Sequence, residues 1–153
     1  MDLKDLIENG YYIEMDVRNT EEFFKTLYPF LLKKSYVNES FLDAIEEREG
    51  RFPTGIEMEQ YNIALPHVDS IHVKQNALIL CRLIQPITFR KMDETTKLLQ
   101  VKVVFLLLIK DLQIHVQAIS DLTKIWKNAD LMNNLLKVKN KQEVVQLFSK
   151  TEN

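Results

Sequence analysis

Glycine and cysteine are scarce in this chain, and their scarcity excludes several kinds of site. The only glycines are Gly10, Gly50 and Gly55, too few and too scattered for the G-x-x-x-x-G-K phosphate loop or the G-x-G-x-x-G dinucleotide turn. Nucleotide binding by those two devices is therefore excluded. A single cysteine, Cys81, can form neither an internal disulfide nor a multi-cysteine zinc site. Because the first residues are polar and unlike a signal peptide, we expect a protein of the reducing cytoplasm.

Long apolar runs and an excess of positive charge are also missing. The longest apolar run, residues 103–109, has seven residues, whereas a membrane-spanning helix needs about 20, so we expect no direct membrane insertion. The 20 basic and 22 acidic residues give a net charge of -2, which offers no positive field to attract nucleic acid. With 153 residues the chain has room for one domain, and we expect a single domain over residues 1–153.

The first part of the chain predicts two helices. A polar cap, acidic residues and apolar residues at helical spacing predict a helix from residue 20 to about residue 34. Pro29 lies inside it, so we expect a kink or a division into two shorter helices. A Ser-x-x-Asp pattern resembling a capping box begins the second helix, residues 40–49, and Gly50 offers it a left-handed stop.

The middle of the chain predicts strands, and the last part predicts helices. Residues 61–65 read as a short strand that stops at His67, because a proline precedes that histidine. The apolar runs 77–83 and 101–109 are typical of central strands covered on both faces, and residues 87–89 add an edge. Helical periods follow at residues 112–126, 131–138 and 141–150. This order predicts an α/β fold, in which a mixed parallel and antiparallel sheet is flanked on both faces by helices.

Histidines and one arginine are the candidates for chemistry. Histidine can exchange a proton, a metal or a phosphoryl group near neutral pH. His67 stands behind a proline at a strand end, where the backbone is fixed and the side chain can reach a cleft. His115 lies in the first turn of a predicted helix. The guanidinium of Arg48, the hydroxyl of Thr54 and the N–H groups of the turn at Gly55 would together suit phosphoryl oxygens.

Each of these residues also has a structural interpretation. His67 could be an ordinary loop histidine, His115 a core-edge imidazole, and Arg48 a member of a surface charge run. The spacing His67-x-Asp69-x-x-His72 resembles a zinc or iron site, which would suit a metal-dependent hydrolase. Nothing in this spacing makes the three side chains converge, so a solvated loop is favoured over a metal site.

The stretch from Arg48 to Lys74 resembles a known signature. The residues Arg48-Glu49-x-x-x-Pro53-Thr54-Gly55-Ile56, followed by Ile63-Ala64-Leu65-Pro66-His67, are similar to the type 2 (fructose/mannitol-like) IIA proteins of the bacterial phosphoenolpyruvate-dependent sugar phosphotransferase system. The runs 52–56, 59–67 and Ile71-His72-x-Lys74 look most like its galactitol-specific branch. Val68 departs from the pattern, since much of the family has glycine directly after the active histidine.

The resemblance implies a cytoplasmic phosphocarrier, a phosphotransferase component that needs no cofactor and no metal. His67 would accept a phosphoryl group from HPr and pass it to a IIB component, during uptake of a galactitol-like sugar or polyol by the membrane permease IIC. His115 and Arg48 match the family's second active-site histidine and its arginine, and Thr54 and Gly55 match the neighbouring turn as substrate-binding residues. Alternatively, the phosphorylated protein would be a regulatory module that acts on a transcription factor or kinase.

Partner docking is expected to use apolar residues around His67. Phe52, Met58 and Ile71 are the candidates near the loop, with core packing as the alternative for each. A relay component must release each partner after transfer, so we expect a modest interface below about 1,200 Å².

Overall fold

The structure is a computed structural model that describes residues 1–150, and its strands form one sheet between two layers of helices. The helices are α1 (Leu3–Asn9), α2 (Thr20–Lys33), α3 (Phe41–Arg51), α4 (Leu112–Trp126), α5 (Ala129–Leu135) and α6 (Lys141–Ser149). The strands are β1 (Tyr11–Met15), β2 (Gly55–Ile56), β3 (Asn62–Ala64), β4 (Ala77–Lys91) and β5 (Glu94–Leu108), with a 3-10 turn at Ser70–His72. Residues 151–153 of the predicted domain lie outside the described residues.

The sheet is mixed, as the sequence predicts. Its strand order is β1-β4-β2-β3-β5, and β4 and β5 also pair with each other. The β1–β4, β2–β4 and β3–β5 pairs are parallel, whereas β2–β3 and β4–β5 are antiparallel. The short β2–β3 hairpin is the feature that matters most for the site, because the chain leaves β3 towards His67.

Both faces of the sheet are buried, which confirms the predicted fold class. Successive residues of β4 alternate between two cores, with Ile79 in the core under α2 and α3, and Leu80 in the core under α1, α4, α5 and α6. In β5, Leu106 and Leu107 alternate in the same way. Period-two alternation of apolar residues on both faces requires helices on both sides of the sheet.

The predicted helices are present. The sequence left open whether the first of them, α2, is kinked or divided at Pro29. Helix α2 runs without interruption through Pro29, so the alternative of two shorter helices is wrong. The Asn19 side chain accepts a hydrogen bond from the Glu22 N–H at 2.8 Å and caps the helix. Ser40 does not form the expected capping box, because its hydroxyl lies 2.8 Å from the His72 ring nitrogen Nδ1 instead.

The expected stop of α3 at Gly50 is also wrong. The helix continues through Gly50 to Arg51, and no described glycine has a positive φ. Arg90 donates a hydrogen bond to the Gly50 carbonyl, and the Phe52 N–H bonds the Arg48 carbonyl at 2.7 Å. Because these groups satisfy carbonyls of the last turn, the helix can end without a left-handed residue.

The two central strands are longer than the sequence predicts. Residues 87–89 are not a separate edge, because they continue β4, and β5 begins at Glu94 rather than near residue 101. Pairing of β4 with β5 is irregular between Arg82 and Ile87, where Pro86 interrupts the run. Proline cannot donate to a strand ladder. The apolar pattern of β4 is therefore interrupted at this irregularity, and the two parts of the strand resemble separate elements in the sequence.

Two short N-terminal elements, α1 and β1, were not predicted. Asp2 and Asp5 form a reciprocal capping box at the start of α1, with hydrogen bonds of 2.9 and 3.1 Å. Strand β1 pairs with β4 alone and forms an edge of the sheet. Neither element is long enough to establish a clear apolar period, which explains why the pattern was missed.

Candidate functional site

His67 is fixed by the backbone that leads out of β3. The Leu65 N–H donates to the Thr54 carbonyl at 3.2 Å, and the Pro66 carbonyl accepts from the Leu107 N–H at 3.2 Å. The two residues before His67 are thus bonded to the β2 turn on one side and to β5 on the other. This places a half-buried imidazole at the edge of a cleft.

The hydrogen bonds of His67 define which ring nitrogen is free to react. Nδ1 lies 2.8 Å from the Leu65 carbonyl oxygen, which can only accept, so Nδ1 carries the proton. In the neutral ring Nε2 then holds a lone pair. Arg48 donates to it from Nη2 at 3.3 Å. A neutral imidazole in this tautomer presents Nε2 as the nucleophilic atom.

Arg48 and His115, the two residues predicted to act with His67, line the same cleft. Arg48 lies in the last turn of α3, and His115 in the first turns of α4, where Asp111 caps the helix through hydrogen bonds from two backbone N–H groups. The His67 and His115 rings are 5.3 Å apart between centroids. The cleft has a volume of about 410 Å³, and its other walls include Ser70 and Lys110.

The electrostatics keep both imidazoles in the neutral form. Burial lowers the pKa of His67, and the positive charge of Arg48 and the neighbouring His115 lower it further, against the opposing hydrogen bond to Leu65. Burial and Arg48 also lower the pKa of His115. Near pH 7 the site therefore combines a neutral nucleophile with a fixed guanidinium, which suits attack on an electrophile that carries negative charge.

Thr54 and Gly55 support the site without lining the cleft. Thr54 is buried and donates to the Glu49 carboxyl group from its backbone N–H at 2.8 Å and from its hydroxyl at 2.7 Å. A Cβ at position 55 would lie 2.6 Å from the Arg90 carbonyl oxygen, so only glycine fits this approach of β2 to β4. That these two residues contact a phosphoryl group stays a prediction.

The candidate ligands of the alternative metal site, His67, Asp69 and His72, do not converge in the part of the chain that the structure describes. Among the described residues 1–150, no group of three or more His, Cys, Asp or Glu side chains converges as metal ligands. His72 is engaged with Ser40 through Nδ1, and Asp69 contacts Arg48 at 3.3 Å. The spacing His67-x-Asp69-x-x-His72 therefore has no geometric counterpart in this loop.

Sequence reasoning missed three contributors to the site. Asp69 pairs with Arg48, and Glu49 fixes Thr54. The third is the Leu65 carbonyl, which sets the ring tautomer. Asp69 stood beside the candidate histidine and could have been paired with the arginine by charge alone, but a backbone carbonyl leaves no signal in side-chain identity.

Val68, the departure from the signature noted in the sequence, has its side chain buried in the core under α2 and α3. Phe52 and Ile71 are exposed, at 61% and 74%, whereas Met58 is half-buried and packs against the opposite core. Two of the three docking candidates thus present apolar surface, and Met58 follows the core-packing alternative.

Comparison with known proteins places the fold and the cleft in a family. The model of the family described as "Phosphoenolpyruvate-dependent sugar phosphotransferase system, EIIA 2" matches residues 7–151. The galactitol-specific EIIA component of Escherichia coli K12 is 30% identical over 106 residues, which cover 69% of this chain and 70% of that protein. The chain is thus a phosphotransferase-system component. It belongs to the type 2 EIIA family, as the sequence signature predicts.

Solved structures share the fold at lower identity. The nitrogen regulatory protein IIA-Ntr of Neisseria meningitidis is 20% identical with a TM-score of 0.74, covering 95% of this chain and 97% of that one. Enzyme IIAMTL of Escherichia coli, solved in complex with phosphorylated enzyme IIBMTL, is 19% identical with a TM-score of 0.70, covering 90% and 94%. Across residues 1–150, no helix has the length and apolar character to cross a bilayer.

Proposed function

We propose that this protein is a phosphocarrier that holds a phosphoryl group on Nε2 of His67 during sugar uptake by a phosphotransferase system. The observation that carries the proposal is the tautomer of that ring. The hydrogen bond from Nδ1 to the Leu65 carbonyl leaves the Nε2 lone pair in the cleft beside Arg48 and His115. Membership of the EIIA family supports the same role.

The chemical step requires no proton transfer at the reacting nitrogen. The Nε2 lone pair attacks phosphorus in line, a new N–P bond forms, and the N–P bond of phosphorylated HPr breaks, with its electron pair returning to the donor imidazole. The proton stays on Nδ1 throughout, hydrogen-bonded to the Leu65 carbonyl oxygen. In transfer of this kind, positioning and neutralisation of charge provide most of the catalysis, and the phosphoramidate can pass the group onward.

Arg48 and His115 are proposed to stabilise the transferred group. The Nη2 donor of Arg48 already points at Nε2 from 3.3 Å, so a small movement brings it onto an equatorial oxygen of the arriving phosphoryl group. His115 adds an N–H donor near the N-terminal end of α4, where the helix dipole also favours an anion. Thr54 and Gly55 enter the proposal as the turn that holds the Leu65–His67 segment.

The proposed partners are HPr as donor and a IIB component as acceptor, with IIC as the permease. The structure of IIAMTL with phosphorylated IIBMTL supports IIB as acceptor for a chain of this fold, and the 30% identity to the galactitol-specific component supports a galactitol-like sugar or polyol. The proposal includes a cytoplasmic location, because the protein must meet phosphorylated HPr there.

Phosphorylation of His67 is tested by labelling. The protein is incubated with labelled phosphoenolpyruvate, enzyme I and HPr, and an acid-labile phosphate is expected at one per chain. His67→Ala should abolish the label, whereas the matched control His72→Gln should retain it because His72 lies outside the cleft and bonds Ser40. Label that persists on His67→Ala would contradict the proposal.

Transport is separated from regulation by the next step. Labelled protein is mixed with a galactitol-type IIB component, and transfer of the label within seconds is expected. A protein that is labelled on His67 but transfers to no IIB component would instead favour the regulatory alternative.

A further inference from the structure

The side chain of Asp69 contacts the site but has no role in the phosphocarrier scheme. It follows His67 by two residues and lies at the rim of the cleft, with its side chain 76% exposed. Its Oδ1 atom accepts from Arg48 Nη1 at 3.3 Å, while Arg48 Nη2 reaches His67 Nε2 at the same distance. The Arg48 guanidinium thus contacts both the Asp69 carboxylate and the nucleophilic nitrogen of His67.

Among the residues that the structure describes, Asp69 is the carboxylate within ion-pair distance of Arg48, whose charge also acts, without a direct contact, against the burial that raises the pKa of Glu49. The remaining donor of Arg48, Nε, is buried without a hydrogen bond. The carboxylate that contacts the guanidinium directly is Asp69, and the two planar groups meet through one of the two terminal nitrogens only. The other terminal nitrogen is the one available to a phosphoryl group.

We propose that Asp69 is a positioning residue that sets the phosphoryl-transfer potential of His67, because it competes with the phosphoryl group for Arg48. The inference rests on the proposed function. In the resting protein, Asp69 holds the guanidinium over Nε2. In the phosphorylated protein, the same guanidinium faces a second and stronger anion, and the two anions share its charge. The Asp69 carboxylate thus makes the phosphorylated state of His67 less stable.

The sign of the effect follows from comparing the two states. Without the negative charge of Asp69, the unphosphorylated state loses a favourable ion pair, and the phosphorylated state loses a repulsion between two anions. Both changes shift the equilibrium towards the phosphorylated protein. A neutral residue at position 69 should therefore make His67 a better acceptor from HPr and a poorer donor to IIB.

The size of the effect is limited by solvent, because Asp69 is mostly exposed. Exposed ion pairs contribute up to about 1 kcal/mol, which corresponds to about fivefold in an equilibrium constant. We expect a shift of that order at low ionic strength, and a smaller one in 0.5 M salt, since salt screens interactions between exposed charges.

The test measures the phosphoryl-exchange equilibrium between HPr and the full-length protein. Asp69→Asn keeps the shape and removes the charge, and it should raise the equilibrium constant for phosphorylation of His67 about fivefold and slow the transfer to IIB. Asp69→Glu restores a carboxylate at an exposed position and should return both values towards those of the wild type. Asp93→Asn is the matched control, since it removes the same charge from the β4–β5 turn.

Each outcome of the exchange experiment decides a different point. An Asp69→Asn equilibrium equal to that of the wild type, or a shift that does not respond to salt, would overturn the role of Asp69 and leave the phosphocarrier function standing. A shift of equal size in Asp93→Asn would also overturn it, because net charge would then be the cause. Failure of the wild type to accept a phosphoryl group on His67 would instead remove the proposed function.

Discussion

At the scale of single residues, the site depends on one cation beside a neutral nucleophile. Burial, Arg48 and His115 lower the pKa of His67, in that order of importance. The imidazole therefore stays unprotonated below the pH at which an ordinary histidine gains its charge. Protonation would make Nε2 a donor and remove the lone pair that attacks phosphorus.

Replacement of Arg48 should be visible in the titration of His67. In Arg48→Gln, the lost positive charge should raise the pKa of His67 towards the ordinary value near 6.5, because Arg48 is one of the groups that lower it. The rate of phosphoryl acceptance at pH 7 should fall by about 10- to 100-fold, since a charged donor to the transferred group is missing. Histidine NMR signals followed from pH 4 to pH 8 measure the first effect, and labelling kinetics the second. An unchanged His67 titration would contradict the assigned electrostatics.

At the scale of elements, the end of α3 and the β2–β3 hairpin act as one support. Glu49 accepts two hydrogen bonds from Thr54, and the Thr54 carbonyl accepts from the Leu65 N–H. Leu65 in turn accepts from the His67 ring. The helix that supplies Arg48 thereby also holds the strand exit that supplies the nucleophile. Burial raises the pKa of Glu49 to about 7 despite the hydrogen bonds from Thr54.

This raised pKa predicts a pH dependence of stability with a defined sign. Because the folded pKa of about 7 exceeds the ordinary value of 4.5, the contribution of Glu49 is fully present below pH 4.5 and is lost as the pH rises through 7. Glu49→Gln cannot ionise, and its amide oxygen can still accept from the Thr54 N–H while its amide NH2 donates to the Thr54 hydroxyl oxygen. From pH 5 to pH 8, its unfolding free energy should rise relative to the wild type by about 2 kcal/mol.

Urea unfolding of the wild type and Glu49→Gln at four pH values from 5 to 8 provides the measurement. His67 and His115 contribute with the opposite sign, but they are common to both proteins, so the difference isolates Glu49. Glu49→Ala, which removes the hydrogen bonds, should be less stable than both at every pH. Parallel curves for wild type and Glu49→Gln would show that Glu49 does not titrate in this range.

The same elements show how much of the fold and of the site could be predicted from the sequence. Helix α2, helix α4 and the apolar cores of β4 and β5 were predicted because their periods are long and unambiguous. His67, Arg48 and His115 were predicted as a set through the resemblance, and the structure brings all three to one cleft. The run through Gly50 and the bulge beside Pro86 were not predictable, since each depends on tertiary contacts from distant segments.

At the scale of the whole molecule, exposed apolar side chains lie on the elements that form the cleft. Leu112, which lines the cleft, and Val116 of α4 are 78% and 61% exposed, and Ile71 in the 3-10 turn and Phe52 at the end of α3 are 74% and 61% exposed. Exposed large apolar residues near a reactive group are typical of a surface that binds another protein. We therefore expect these four residues to contribute to a small docking site for the partners of the proposed relay.

Docking through this surface predicts a change in apparent affinity without a change in chemistry. Leu112→Gln keeps the helix and removes exposed apolar area, so KM for phosphorylated HPr should rise about three- to tenfold while kcat stays near the wild-type value. Leu98→Gln is the matched control, because Leu98 is also exposed but lies in β5 outside the cleft. Steady-state labelling at several HPr concentrations makes the measurement. Equal KM values for wild type and Leu112→Gln would exclude Leu112 from docking.

The orientation of the reactive ring is encoded in the main chain. Its partner, the Leu65 carbonyl, is a peptide oxygen, so no substitution of a single amino acid can delete it. The protonation pattern of the imidazole therefore does not depend on the identity of the Leu65 side chain. Only a chemical change to the backbone, such as replacement of the peptide bond after Leu65 by a thioamide, would address that contact directly.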